Sequence, residues 1–165
     1  MSALIINWNM LSPHFSVKEF ERSDRAAKNL AKTGDPVWKN KMPPLCRENA
    51  VLLCQNVLEV VRAHFGMPIY ISSGYRCPRL NAAVGGAMTS QHMRGQAADI
   101  YIKNPEMPLK AVFDWMVKNC DYDQIIWETR KNGSKWIHVS YVSSQRNRKQ
   151  AWTCSDGKIY NVYKK

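Results

Sequence analysis

Between Leu45 and Phe65, the residues Val51, Cys54, Val57, Leu58, Val61 and Phe65 recur at three- and four-residue spacings. On a helix of 3.6 residues per turn such positions share one face. The segment therefore reads as a long amphipathic helix whose apolar stripe must lie on another apolar surface. Gly66 and Pro68 end it. The rest of the chain supplies that surface. "PIYISSGYR" alternates as a strand does, "GQAADIYIK" reads as another, and "LKAVFDWMVKN" returns to helical periodicity. "DQIIWETRKNGSKWIHVSY" reads as two strands joined through Asn132-Gly133, a strong hairpin signal, and "QAWTC" with "KIYNVYK" around Asp156-Gly157 forms a second candidate hairpin. Helices early and strands late predict an α+β fold with an antiparallel sheet packed against helices.

Ahead of the long helix, "FSVKEFERSDRAAKNLA" sets Ser16 and Glu19 in capping-box spacing, which predicts a short helix. "GDPVWKNKMPP" reads as a loop punctuated by Gly34, Pro36, Pro43 and Pro44. No repeat or low-complexity linker divides the 165 residues, so a single domain over residues 1–165 is expected. Lys and Arg outnumber Asp and Glu by 24 to 13, a formal net charge of +11. That balance suggests a polyanionic partner, whether nucleic acid, an anionic membrane or acidic wall polymer, among which charge alone does not choose; Arg146, Arg148, Lys149 and the terminal Lys164 and Lys165 are the basic clusters. No nucleic-acid-reading motif accompanies the charge, so no nucleic acid partner is expected. No segment approaches the ~20 apolar residues of a membrane span, so no stable membrane insertion is expected. Five cysteines, an odd number without CxxC spacing, predict free thiols and a reducing compartment. "MSALIINWNML" has no basic residue before its apolar run and no small-residue cleavage pattern after it, so no signal peptide is read. The expectation is a monomer made in the cytoplasm.

In "TSQHMRGQAADIYI", Asp99 follows His92 by seven residues. Gly95 permits a tight bend without a Cβ clash, and Ala97 and Ala98 keep the wall thin as the chain runs into the strand that carries Asp99. The spacing fits an ordinary glycine loop ahead of a strand, and it equally fits two metal ligands. In "WIHVSY", alternation puts Trp136, His138 and Ser140 on one face and Ile137, Val139 and Tyr141 on the other. His138 is then either a third ligand or a satisfied strand histidine. Two imidazoles and a carboxylate suit Zn²⁺, and a catalytic zinc site leaves its fourth position open.

Taken jointly, these stretches resemble a known family. "SSGYRCPRLNAAVGGAMTSQHMRGQAADI", followed by "DQIIWE" and "WIHVSY", is similar to the M15 zinc peptidases. That family includes D-alanyl-D-alanine carboxypeptidases and phage endolysins that cut peptidoglycan stem peptides. Its pattern, S-x-H-x-x-G-x-A-x-D and then W-x-H, is matched at Ser90, His92, Gly95, Ala97, Asp99, Trp136 and His138. The upstream "FSVKEF", "SGYR" and "LN" resemble the family too. The resemblance covers residues 15 to 141 and leaves 142–165 as a C-terminal extension. It implies the α+β zinc fold that is shared with the Hedgehog signalling domain.

Carried over by position, the resemblance implies one Zn²⁺ per chain on His92, Asp99 and His138. It implies Arg76 as the side chain that steadies the oxyanion and Glu128 as the general base. A guanidinium suits the first task because it stays charged and offers several donors. A carboxylate suits the second because it can take a proton from attacking water and return it to the leaving amine. Ser90, Tyr75 and Trp136 become candidate substrate-binding residues. Some branches carry a glutamate three residues, or a histidine two residues, before the last zinc ligand. This chain has Lys135 and Trp136 there, neither of them a base, so the acid–base work falls on Glu128. The expected function is a zinc peptidase acting on peptidoglycan stem peptides, either a D,D-carboxypeptidase or an endolysin-type endopeptidase that acts at the wall after release from a phage-infected cell. The alternative is a non-catalytic, zinc-containing wall-binding module of the same fold.

Overall fold

The computed structural model describes residues 7–157 and 159–163. Most of the stretch read for a signal peptide and the terminal lysines Lys164 and Lys165 lie outside the described residues. A small hairpin, β1 (Met10–Ser12) and β2 (Phe15–Ser16), leads into α1 (Val17–Glu21). The expected capping box closes that helix: Glu19 N–H donates to Ser16 Oγ at 3.2 Å, and Ser16 N–H donates to Glu19 Oε2 at 2.9 Å. Ser23 then caps α2 (Asp24–Thr33), and Gly34 ends it in the left-handed region at φ 68°.

The apolar stripe forms a continuous helical run, with its ends and buried face as the periodicity predicts. It is not uniform. α3 (Pro44–Leu53) passes through a π turn (Cys54–Leu58) into α4 (Glu59–Phe65), which Gly66 ends. Cys54, Val57, Leu58 and Val61 are fully buried, and Val51 and Phe65 pack at the margin of the core. Each fully buried aliphatic side chain contributes about 1.5–3 kcal/mol, which is why the stripe dictates the packing. After the π turn, Glu59 accepts hydrogen bonds from Ser12 Oγ (2.6 Å) and His14 N–H (2.9 Å), tying the N-terminal hairpin to α4.

The main sheet has the order β3-β4-β6-β5-β7-β8, built from β3 (Tyr70–Ser73), β4 (Ala97–Tyr101), β5 (Gln124–Thr129), β6 (Lys135–Ser140), β7 (Gln150–Ser155) and β8 (Ile159–Val162). Its core face presents Ala98, Ile100, Ile125, Ile137 and Val139. These pack with Leu53, Leu58 and Val61 and with Val112, Phe113 and Met116 of α6 (Leu109–Asn119). Both expected hairpins form, β5–β6 through Gly133 and β7–β8 through Gly157. The α+β class and the antiparallel sheet are as expected, with one exception: β7 lies parallel to β5, with Gln124 opposite Gln150. β6 already occupies the other side of β5, so the chain leaving Ser140 crosses the start of β5 before it can pair. Among the described residues, no helix is long and apolar enough to cross a membrane.

Candidate metal centre

Asp99 on β4 and His138 on β6 are direct partners across the strands. Alternation aims both away from the core, as Ile137, Val139 and Tyr141 point into it. His92 arrives from a 3₁₀ turn (Gln91–Arg94) that Gly95 ends at φ 70°. A Cβ at Gly95 would stand 2.0 Å from the Cys46 carbonyl oxygen, so the expected bend admits no side chain. His92 Nδ1 lies 2.7 Å from the Gly74 carbonyl oxygen. That oxygen can only accept, so Nδ1 carries the proton and Nε2 presents a lone pair. Nε2 lies 3.2 Å from His138 Nδ1 and 3.3 Å from Asp99 Oδ1, and His138 Nδ1 lies 3.0 Å from the same oxygen.

These three donor atoms lie within 4.8 Å of one another and form a group able to hold a metal ion. The fit is chemical as well as geometric: two buried residues and one half-buried residue turn lone pairs on a common point, an arrangement that a cation satisfies. Burial pushes the His92 imidazole toward its neutral, ligating form, against the pull of Asp99. Burial opposes the charge on Asp99, yet the adjoining His92 and His138 imidazoles hold its carboxyl well below the usual carboxylate range.

Arg76 donates from Nη2 to Asp99 Oδ2 at 2.5 Å and from Nε to Ser73 Oγ at 2.9 Å, so it steadies the Asp99 carboxylate from behind. Glu128 lies opposite Trp136 on the β5–β6 ladder, two pairs beyond the Ile126–His138 pair and on the same face. It is therefore a diagonal neighbour of His138, a relation that separates the residues by about 7–8 Å. Burial and then the charge of Asp99 raise its pKa, against His138, Arg130 and Arg76. Ser90, Trp136, Glu128, Arg76 and the three candidate ligands line one open groove of about 1000 Å³. The Arg130 guanidinium stacks 5.2 Å from the Trp136 ring.

Tyr75 is placed otherwise. It is 5% exposed and packs with Ala26, Cys77 and Leu80 in a separate small core, away from the groove lining. In the basic cluster, Arg148 and Lys149 are half-exposed and pair with Asp123 and Asp121. Two positioning residues carry no motif signal. Asn40, in the proline-punctuated loop, donates to the Tyr75 carbonyl at 2.9 Å and accepts from Cys77 N–H at 2.7 Å, bracketing Arg76. Asp123, 1% exposed, accepts from Gln91 beside His92 and from four N–H contacts of Arg148. All five cysteines are free.

Fold and site define a small α+β protein with a candidate metal centre set in a groove. Residues 13–140 match the family described as Peptidase M15, and the chain belongs to that family. No curated protein matches the chain significantly.

Proposed function

We propose that the protein is a zinc-dependent peptidase that hydrolyses peptide bonds of peptidoglycan stem peptides. The observation that carries this reading is the convergence of His92 Nε2, Asp99 Oδ1 and His138 Nδ1 in a groove that also presents Glu128. His92, Asp99 and His138 would hold one zinc ion. Zinc there supplies Lewis acidity, which polarises a carbonyl and makes water a stronger acid. Glu128 accepts the proton of the attacking water and returns it to the leaving amine. Arg76 keeps Asp99 oriented, and its guanidinium has further N–H groups to meet the charge that develops on the scissile carbonyl oxygen. Trp136, stiffened by Arg130, gives the peptide a flat wall, and Ser90 offers a hydroxyl at the groove edge.

The test has two arms. Elemental analysis of protein purified without added metal should find close to one zinc per chain, and His92→Ala should lose most of it. Purified peptidoglycan incubated with the wild type should release new amino termini, and mass spectrometry of the fragments identifies the bond, deciding between carboxypeptidase and endopeptidase. Stoichiometric zinc without any cleavage would instead support the wall-binding module. Retention of full zinc by both His92→Ala and His138→Ala would refute the site.

A further inference from the structure

The far wall of the groove is built by chain that lies beyond the family match. Residues 13–140 match, yet Val142, Arg146, Arg148, Asp156 and Gly157 also line the groove. Arg148 is the organised element. Its Nε lies 3.0 and 3.1 Å from the two Asp123 oxygens and its Nη2 lies 2.6 Å from Oδ2, a side-on pairing with a carboxylate whose side chain is 2% exposed. A guanidinium held by that edge leaves Nη1 and the second Nη2 hydrogen on its outer edge, the geometry that takes another carboxylate end-on. The Arg148 side chain is 51% exposed, and its hydrogen bonds among the described residues use Nε and Nη2 and leave Nη1 without a partner. Arg146, two residues earlier and also exposed, makes no side-chain hydrogen bond or ion pair among the described residues. Asp123 is already engaged by Arg148 and Gln91, and Asp156, the other acid on this wall, accepts from the Lys131 N–H, so Arg146 adds a positive charge that has no ion-pair partner among the described residues.

Building on the peptidase reading, we propose that Arg146 and Arg148 form a carboxylate-recognising subsite, so that the preferred peptide carries a free carboxylate two to three residues from the bond that is cut. The distance follows from the sheet. Ile126 pairs with His138, and Asp123 lies three residues earlier along the same chain. At ~3.3 Å per residue that is about 10 Å, the span of roughly three residues of extended peptide. A terminal carboxylate at the scissile residue itself would fall short of it. The subsite therefore selects a carboxylate further along the stem, and the extension after Ser140 acts as a specificity element.

Two synthetic stem peptides differing only in whether that carboxylate is free or amidated provide the test, on the full chain loaded with zinc. The wild type should favour the free acid by about 10- to 100-fold in kcat/KM, mostly through KM, as expected for a charge-assisted bidentate contact. Arg146→Gln should narrow that preference to a few-fold. Arg148→Gln combined with Asp123→Asn, which avoids leaving an unpaired buried carboxylate, should narrow it further. Equal treatment of both peptides by an active wild type, or a preference that survives all three substitutions, overturns the subsite and leaves the peptidase reading intact. A wild type that cuts neither peptide overturns the peptidase reading. The subsite is then decided by fluorescence anisotropy, where tighter binding of the free acid that is lost in Arg146→Gln upholds it and equal binding overturns it.

Discussion

Three glycines separate backbone strain from steric exclusion, and the separation can be measured. Gly133, in the β5–β6 turn, has φ +84° and nothing within 4 Å of an added Cβ. Alanine there costs only the left-handed backbone, about 1–2 kcal/mol, less ~0.4–1 kcal/mol from the stiffer unfolded chain. Gly74 lacks a left-handed φ, but a Cβ there would meet Phe20 Cα at 2.6 Å. Gly95 has both problems, φ +70° and a backbone oxygen, that of Cys46, at 2.0 Å. The carbonyl cannot swing aside as a flexible side chain would, so overpacking adds about 1–3 kcal/mol to the strain. Gly95→Ala should therefore lose ~2–4 kcal/mol, against ~1 kcal/mol or less for Gly133→Ala. At roughly 2–4 °C per kcal/mol for a chain of this size, Gly95→Ala should melt about 5–15 °C lower and Gly133→Ala only a few degrees lower. Thermal unfolding followed by circular dichroism, on metal-free protein, gives the comparison. Zinc titration of the same variants adds a second reading: Gly95→Ala should weaken binding because it displaces the turn that carries His92, and Gly133→Ala should not. If Gly95→Ala melts no lower than Gly133→Ala, the packing of Cys46 against that turn is wrong.

Glu128→Gln should keep zinc content and melting temperature near wild type and lower peptidoglycan turnover by roughly 10²–10⁴; unchanged turnover would remove Glu128 as the base. Asn40→Ala should cost about 2–4 kcal/mol in urea denaturation, since it strips partners from the Glu21 and Tyr75 carbonyls and the Cys77 N–H. It should also slow turnover through the loosened Arg76, whereas a purely structural role would leave kcat unchanged in the folded fraction. For Asp123, burial opposes the charge, but hydrogen bonds from Arg148 and Gln91 hold the folded pKa below the ordinary carboxylate value. Its stabilisation is therefore complete above ~4 and is lost as pH falls through the lower folded value. Asp123→Asn should flatten the acid limb of a stability–pH curve below about pH 4, and an unchanged slope there would refute the pairing.

The legible parts of this chain are those fixed by rules acting over a few residues. Ser16 and Glu19 announce a cap, Gly95 a bend, and Gly133 and Gly157 two hairpins. The two-residue period of "WIHVSY" fixes which face His138 takes. Each follows from backbone sterics or strand pleat, without knowledge of what packs nearby. The same rules place two of the candidate ligands on strands and the third on a glycine-ended turn, but they leave each open between a ligand and an ordinary residue, and only the family resemblance joins the three into a set. Tyr75 shows the limit. It adjoins Arg76, yet Asn40 and the small core around Ala26 turn its ring inward. The π turn at Cys54–Leu58 left no mark either, because a helical stripe tolerates one wide turn without changing its residue types.

The parallel pairing of β7 and its consequence for the groove were illegible on stronger grounds. Nothing local distinguishes Asp121 from Asp123 in "CDYDQ". Their difference arises only when the chain leaving Ser140 crosses the start of β5. Asp123 then lies under the crossing segment, where Arg148 N–H donates to its side chain and Gln150 N–H donates to its carbonyl. A buried, unpaired carboxylate would be costly, so the crossing is compatible with the fold only because Arg148 arrives with it. The same carboxylate accepts from Gln91, one residue before His92. One aspartate thus joins the strand crossing, the turn carrying a candidate ligand and the cationic wall of the groove. That coupling exists in the topology alone, which is why an extension that reads as a basic segment and a hairpin becomes a wall of the groove once the sheet is assembled.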